Sequence, residues 1–362
     1  MSTLHPALPT LAALVVIACG DRAGSDRRGA PDSAAAATAA AVGPLAYVTN
    51  EESDDITIID TATDSALATI FVGKRPRGIV VSPDGRKLYV AVSGSPKAPP
   101  GADESKLPPA DKTKDGVSVI DIVTRRLERT LPGGSDPESF DITPDGRTLY
   151  VSNEDVGTTT VLDVASGEVR GTVKVGGEPE GVRMSPDGRV VYVTSEEDDE
   201  IFAIETATNR VAAQVKVGRR PRSAVFTPDG AKAYVANELG ASVTVVRTEG
   251  HRPTKTIAIP GTGARPMGTA ISPDGKTVFV STGRGRSVAL IDVAADSVIA
   301  MIDSVGERPW GIAVTADGRK LYTANGPSGD VSVIDVAARR VVKKVRVGTI
   351  PWGVAIGGDR AR

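Results

Sequence analysis

One short motif recurs along most of the chain and limits what the chain can fold into. Y-V-x-N or a close variant stands at 47–50 (YVTN), 89–92 (YVAV), 150–153 (YVSN), 192–195 (YVTS), 234–237 (YVAN), 279–282 (FVST) and 322–325 (YTAN). All six tyrosines of the protein occupy its first position, and Phe279 takes the remaining turn. Successive copies start 42, 61, 42, 42, 45 and 43 residues apart. A period in this range marks a repeat array, in which each unit buries its apolar face against the next.

The units share an internal order. A segment opening on P-x-G or P-x-S leads to a turn, S/T-P-D-G, at 82–85, 143–146, 185–188, 227–230 and 272–275, with TADG at 315–318. Pro preset for the second turn position, then Asp and Gly, is β-turn chemistry. After Y-V-x-N comes an alternating run such as Val331-Ser332-Val333-Ile334-Asp335, then a fourth such as Val341-Val342-Lys343-Lys344-Val345. Four strands of period two make one propeller blade. With the strands lettered A to D, the chain runs BCD from residue 45, then six ABCD units, then a lone A at 351–356. The last strand is what the first blade lacks. The expected fold is therefore all-β: a seven-bladed β-propeller of four-stranded antiparallel blades over 45–357, closed by the C-terminal strand pairing into the N-terminal blade. An open solenoid would orphan strand A and has no capping sequence.

YVTN at 47–50, the recurrent SPDG turns and PWG at 351–353 resemble the YVTN-type seven-bladed β-propellers of bacteria and archaea, whose wider relatives are the cytochrome d1-like and quinoprotein-associated propellers. The resemblance spans about residues 45–357. It implies a fold rather than an activity, because the motifs are structural and the scaffold hosts many chemistries.

Upstream of the repeats, residues 7–18 (ALPTLAALVVIA) form an uncharged apolar run too short to span a bilayer, followed by Cys19, the sole cysteine, and Gly20. V-I-A-C resembles the bacterial lipobox. That resemblance implies a signal peptide over 1–18, a lipidated Cys19, and an exported chain on the periplasmic or cell-surface side of a bacterial membrane, held by lipid alone. The leading MSTLHP has no Lys or Arg, which leaves an unlipidated signal or a buried strand as alternatives. Residues 20–44 cannot bury a core and read as a tether, with a flexible-chain span of roughly 25–30 Å. Residues 358–362 read as a tail.

In a propeller, strand A lines the channel, and the D–A and B–C loops share one face. The residue between Pro and Gly/Ser should therefore ring the channel mouth: Arg77, Glu138, Glu180, Arg222, Met267, Trp310 and Trp352, the last two being the protein's only tryptophans. Charged on one side and apolar on the other, such a mouth suits a ligand with a polar end and a flat body. The plainer alternative is that Arg77–Glu138 and Glu180–Arg222 are structural ion pairs and the tryptophans pack the channel. The B–C loops add Glu51, Glu154, Asp155, Glu196, Glu197, Asp198, Asp199 and Glu238 to this face. Glu138, Glu180, Glu154 and Glu196 are the candidates for a divalent cation, although no compact D-x-D-x-D-G loop is present. An insertion at 93–116, with five prolines, rises from the same face and reads as a lid, a partner contact or a neutral addition.

Other chemistry is missing. His5 precedes the expected cleavage site, and His251 falls in a C–D loop on the opposite face, expected exposed and inert. With no histidine at the mouth and no C-x-x-C-H, neither haem ligation nor Ser–His–Asp or Cys–His catalysis is expected, and no cofactor is. Carboxylate-only hydrolysis by Glu138 and Glu180 survives, but two glutamates beside arginines are expected to stay ionised, which argues against a general acid. The leading expectation is a monomeric, non-catalytic binding or scaffold propeller for a small molecule or protein partner. The alternatives are a hydrolase or lactonase-like enzyme, or an accessory subunit of a quinoprotein-type oxidoreductase. Single-strand nucleic-acid binding, with Arg77, Arg222, Arg265 and Arg308 on phosphates, is disfavoured by a net charge of −2.

Overall fold

The computed structural model describes residues 44–97 and 106–357. The apolar run, Cys19, the tether, the tip of the insertion and the tail lie outside these residues. The described residues contain 28 strands, β1 to β28 in chain order, arranged in seven four-stranded antiparallel sheets. Blade 1 comprises β28 (Pro351–Gly357), β1 (Leu45–Asn50), β2 (Asp55–Asp60) and β3 (Ser65–Phe71), in that spatial order. Leu45 lies opposite Gly357 and Val48 opposite Val354, so the two ends of the ring are joined as the repeat arithmetic requires. Blades 2 to 7 take the remaining strands four at a time.

The core is divided in the same way. Seven apolar clusters each combine residues of two neighbouring blades, and the last joins Tyr322, Ala324 and Val331 of blade 7 to Ala46, Val48 and Ile59 of blade 1. The motif tyrosines and Phe279 are buried in these layers. Hydroxyls of this layer reach the C–D hairpin of the next blade: Tyr150 donates to Asn209 Oδ1 at 2.6 Å, Tyr234 to Asp296 Oδ1 at 2.5 Å, and Tyr322 to Asp64 Oδ1, while Tyr192 meets His251 Nδ1 at 2.8 Å. A buried hydroxyl needs a partner, and a short polar side chain in the left-handed turn supplies it. His251 is thus not the free surface residue that its loop position suggests. It is half-buried against Tyr192, and burial lowers its pKa.

The rest of the motif is also explained by contacts. Asn50 at the end of YVTN bridges to the C strand, its Nδ2 donating to Asp55 Oδ1 at 2.6 Å and Thr57 Oγ1 at 3.0 Å. In the SPDG turn, Ser82 Oγ bonds Asp84 and accepts from Lys87 N at 2.9 Å, closing the A–B hairpin.

Candidate active site at the channel mouth

The A strands carry the mouth residues inward, and the spelling P-x-G follows from how closely they pack. A Cβ on Gly181 would lie 2.4 Å from the carbonyl oxygen of Arg222, and one on Gly353 would lie 2.6 Å from that of Arg77. In five blades glycine leaves room for the backbone of the neighbour's mouth residue, and in the other two Ser139 and Ser223 stand at this position. Small hydroxyls then fix those carbonyls: Thr49 Oγ1 donates to Arg77 O at 2.8 Å, Ser152 Oγ to Glu180 O at 2.8 Å and Ser281 Oγ to Trp310 O at 2.6 Å.

Five of the seven expected mouth residues, Glu180, Arg222, Met267, Trp310 and Trp352, line one cavity of about 470 Å³ that continues down the channel between the A strands. Arg77 and Glu138 do not line it; they are buried beside it as an ion pair. Arg77 also contacts Asp136 at 2.5 Å and Glu154 at 3.4 Å. Across the mouth, Arg222 lies 3.1 Å from Glu180 and pairs with Glu196, which Arg220 holds at 2.5 Å. The apolar side has the two indoles 6.4 Å apart at 55°, with the Arg308 guanidinium 4.9 Å above the Trp310 ring. Trp310 Nε1 is buried with no hydrogen-bond partner among the described residues.

The structure corrects the expected protonation. Burial pushes the Glu180 carboxyl up to about 8; Arg222 pulls it back, and Glu196 and Glu154 push it further. Glu138 is likewise raised well above the ordinary range by burial, against the pull of Arg77 and with the push of Glu180. Desolvation outweighs the arginines because each guanidinium is shared among several carboxylates. Burial opposes the charge on Arg222 as well, but Glu180, Glu196 and Glu238 outweigh it and hold its pKa above the ordinary value. At neutral pH the cavity thus presents a neutral carboxylic acid beside a cationic guanidinium. The order of the repeats predicts the partners here, whereas burial decides the charge.

Of the cation candidates, Glu154 is raised by burial and faces Arg77, and Glu196 is clamped between Arg220 and Arg222. Among the described residues, no group of three His, Cys, Asp or Glu is placed to hold a metal ion. The stems of the 93–116 insertion lean onto neighbouring blades: Lys97 contacts Glu51 at 3.3 Å and Glu52 at 2.9 Å, and Lys112 pairs with Asp155. The tip that a lid would need lies outside the described residues.

A closed seven-bladed ring with a buried acid and a guanidinium at the mouth of its channel is the class of protein that the fold and this geometry define. The chain belongs to the family described as "Lactonase, 7-bladed beta-propeller", whose profile matches residues 37–184 and 178–348. Among solved structures, it resembles the periplasmic gluconolactonase of Pseudomonas aeruginosa, with 21% identity over 88% of this chain and 99% of that one, at TM-score 0.70. It also resembles a putative 6-phosphogluconolactonase from Bacteroides fragilis, with 20% identity over 86% and 98%, at TM-score 0.71. A third similar chain comes from Kuenenia stuttgartiensis hydrazine synthase, with 22% identity over 82% and 93%, at TM-score 0.70. At these identities the likenesses concern the fold. Antigen Lp49 of Leptospira interrogans is 27% identical over a stretch covering 30% of this chain and 30% of that protein's length. Membership of the lactonase family overturns the expectation of a non-catalytic scaffold and favours the hydrolase alternative.

Proposed function

We propose that the protein is a lactone hydrolase whose reaction takes place against Glu180 and Arg222. The observation that carries this reading is a cavity-lining carboxyl with a pKa of about 8, set 3.1 Å from a cationic guanidinium. Opening a lactone needs a proton taken from water, charge stabilised on the carbonyl oxygen, and a proton delivered to the ring oxygen. Ionised Glu180 takes a proton from a water as its oxygen adds to the carbonyl carbon. Arg222 faces the resulting oxyanion, where a fixed donor in a dry site is most effective. Collapse breaks the bond to the ring oxygen, and Glu180 returns its proton there, leaving a hydroxy acid. A carboxyl titrating near the working pH serves both steps.

Trp310 and Trp352 offer a flat apolar wall for the ring. Exported and anchored through Cys19, the enzyme would act on lactones formed outside the cytoplasm. The test is hydrolysis of a panel of five- and six-membered lactones, neutral and anionic, by the purified chain. Glu180→Gln should lower kcat by roughly 10²–10⁴-fold, the usual share of acid–base catalysis. An unchanged rate in that variant excludes this role for Glu180.

A further inference from the structure

The outer strand of every blade carries the same irregularity. In β3, Ile58 pairs with Ala68 and Ile59 with Ala66, so Leu67 is bulged out of the ladder at the rim. The corresponding bulged residues are Glu128, Arg170, Ala212, Thr254, Ile299 and Val342 in blades 2 to 7. A bulge re-aims its side chain, and sequence can vary there without changing the fold. The variation is ordered around the ring. Blades 6, 7 and 1, consecutive through the closure, place Ile299, Val342 and Leu67 at this point, each 42 to 45% exposed. Blades 2 to 5 place polar or small residues there. At the end of β3, Phe71 is 63% exposed, where β27 (Arg340–Arg346) ends on Arg346.

Charge is uneven too. β27, between the two uncharged strands β3 and β23 (Ser297–Ile302), carries four basic residues, Arg340, Lys343, Lys344 and Arg346, and no acid, where the outer strands of blades 3, 4 and 5 carry two basic residues each. The chain enters the ring at Pro44, whose carbonyl accepts from Thr61 N at 3.3 Å. It therefore joins blade 1 beside its C–D hairpin, on the face away from the channel mouth.

We propose that the outer rim of blades 6, 7 and 1 docks onto an anionic lipid bilayer. Protruding aliphatic and aromatic side chains framed by Lys and Arg suit the boundary between headgroups and acyl chains. A second copy of the chain is a poor match, because the outer strands of blades 3, 4 and 5 also carry only basic charges and offer no complement. The inference rests on the export reading of residues 7–19, which would bring this rim to a membrane while the mouth, on the other face, stays open.

The full chain with Cys19→Ala provides a cysteine-free background. Val342→Cys and, separately, Leu67→Cys carry an environment-sensitive nitrobenzoxadiazole label, and Ala212→Cys, the same bulge position on the far side of the ring, is the control. With vesicles of phosphatidylcholine and phosphatidylglycerol in equal parts, labels at 342 and 67 should shift to the blue and be quenched by doxyl lipids, while the label at 212 should not. Arg340→Gln and Lys343→Gln should each weaken partitioning about fivefold, and high salt should do the same. Equal shifts at 212 and 342, equal binding to pure phosphatidylcholine, or no binding at all would each overturn the proposal. A chain held only by its apolar N-terminal run would bind without a shift at 342, and that also overturns it.

Discussion

Glu180→Gln has a consequence for stability that requires no substrate. The carboxyl moves from an ordinary 4.5 to about 8 on folding, with burial as the largest cause. The folded protein therefore keeps a proton that the unfolded chain releases above pH 4.5. Its contribution to stability is full below that pH and is lost as pH rises toward 8. At about 1.4 kcal/mol per pH unit, the loss is on the order of 4 kcal/mol between pH 4.5 and 8. Glutamine has nearly the same shape and does not titrate, so the variant should not suffer this loss. Chemical unfolding at pH 5 and pH 8 measures it: relative to wild type, the variant should gain several kcal/mol at the higher pH. Parallel stability curves for the two proteins across this range would refute the assignment of a raised, proton-holding Glu180.

Three further outcomes follow from the contacts. Gly181→Ala forces a Cβ to within 2.4 Å of the Arg222 carbonyl, so either the ring opens locally or the site shifts; thermal unfolding should show a loss of about 2 kcal/mol or more, with reduced activity. Lys320→Met removes a bond of 2.8 Å to Thr61 O and the ion pair with Asp64 that join blade 7 to blade 1. It should cost about 1–2 kcal/mol in denaturant unfolding, and Lys232→Met at the matching blade 5–6 contact with Asp296 should cost a similar amount. Trp352→Ala should raise KM while leaving kcat within a few fold, because an aromatic wall binds the ring without moving a proton; a pure kcat effect in steady-state kinetics contradicts that role.

The ring could be read from the chain because each blade repeats the same turn chemistry and the same strand period, and because the orphan strand at 351–356 has a single place to go. The mouth residues could be read for a related reason: P-x-G marks the position where one A strand presses on the next. What the sequence did not reveal was depth. Glu138 and Glu180 occupy equivalent positions in adjacent blades, each beside an arginine, yet only Glu180 lines the cavity, and both are raised by desolvation that no spacing encodes. The burial of His251 is hidden in the same way, since its partner Tyr192 is 59 residues away and becomes its neighbour only through the stacking of blades. The bulges at Leu67, Ile299 and Val342 are equally silent in an alternating apolar strand, where an extra residue looks like a continuation of the run.

The most direct test of the central claim is kcat/KM against pH for hydrolysis of a lactone by the intact chain. The account predicts a limb that rises with pH and levels off near 8 as Glu180 ionises, and the disappearance of that limb in Glu180→Gln. A profile without such a limb, or one that the substitution leaves in place, would contradict it.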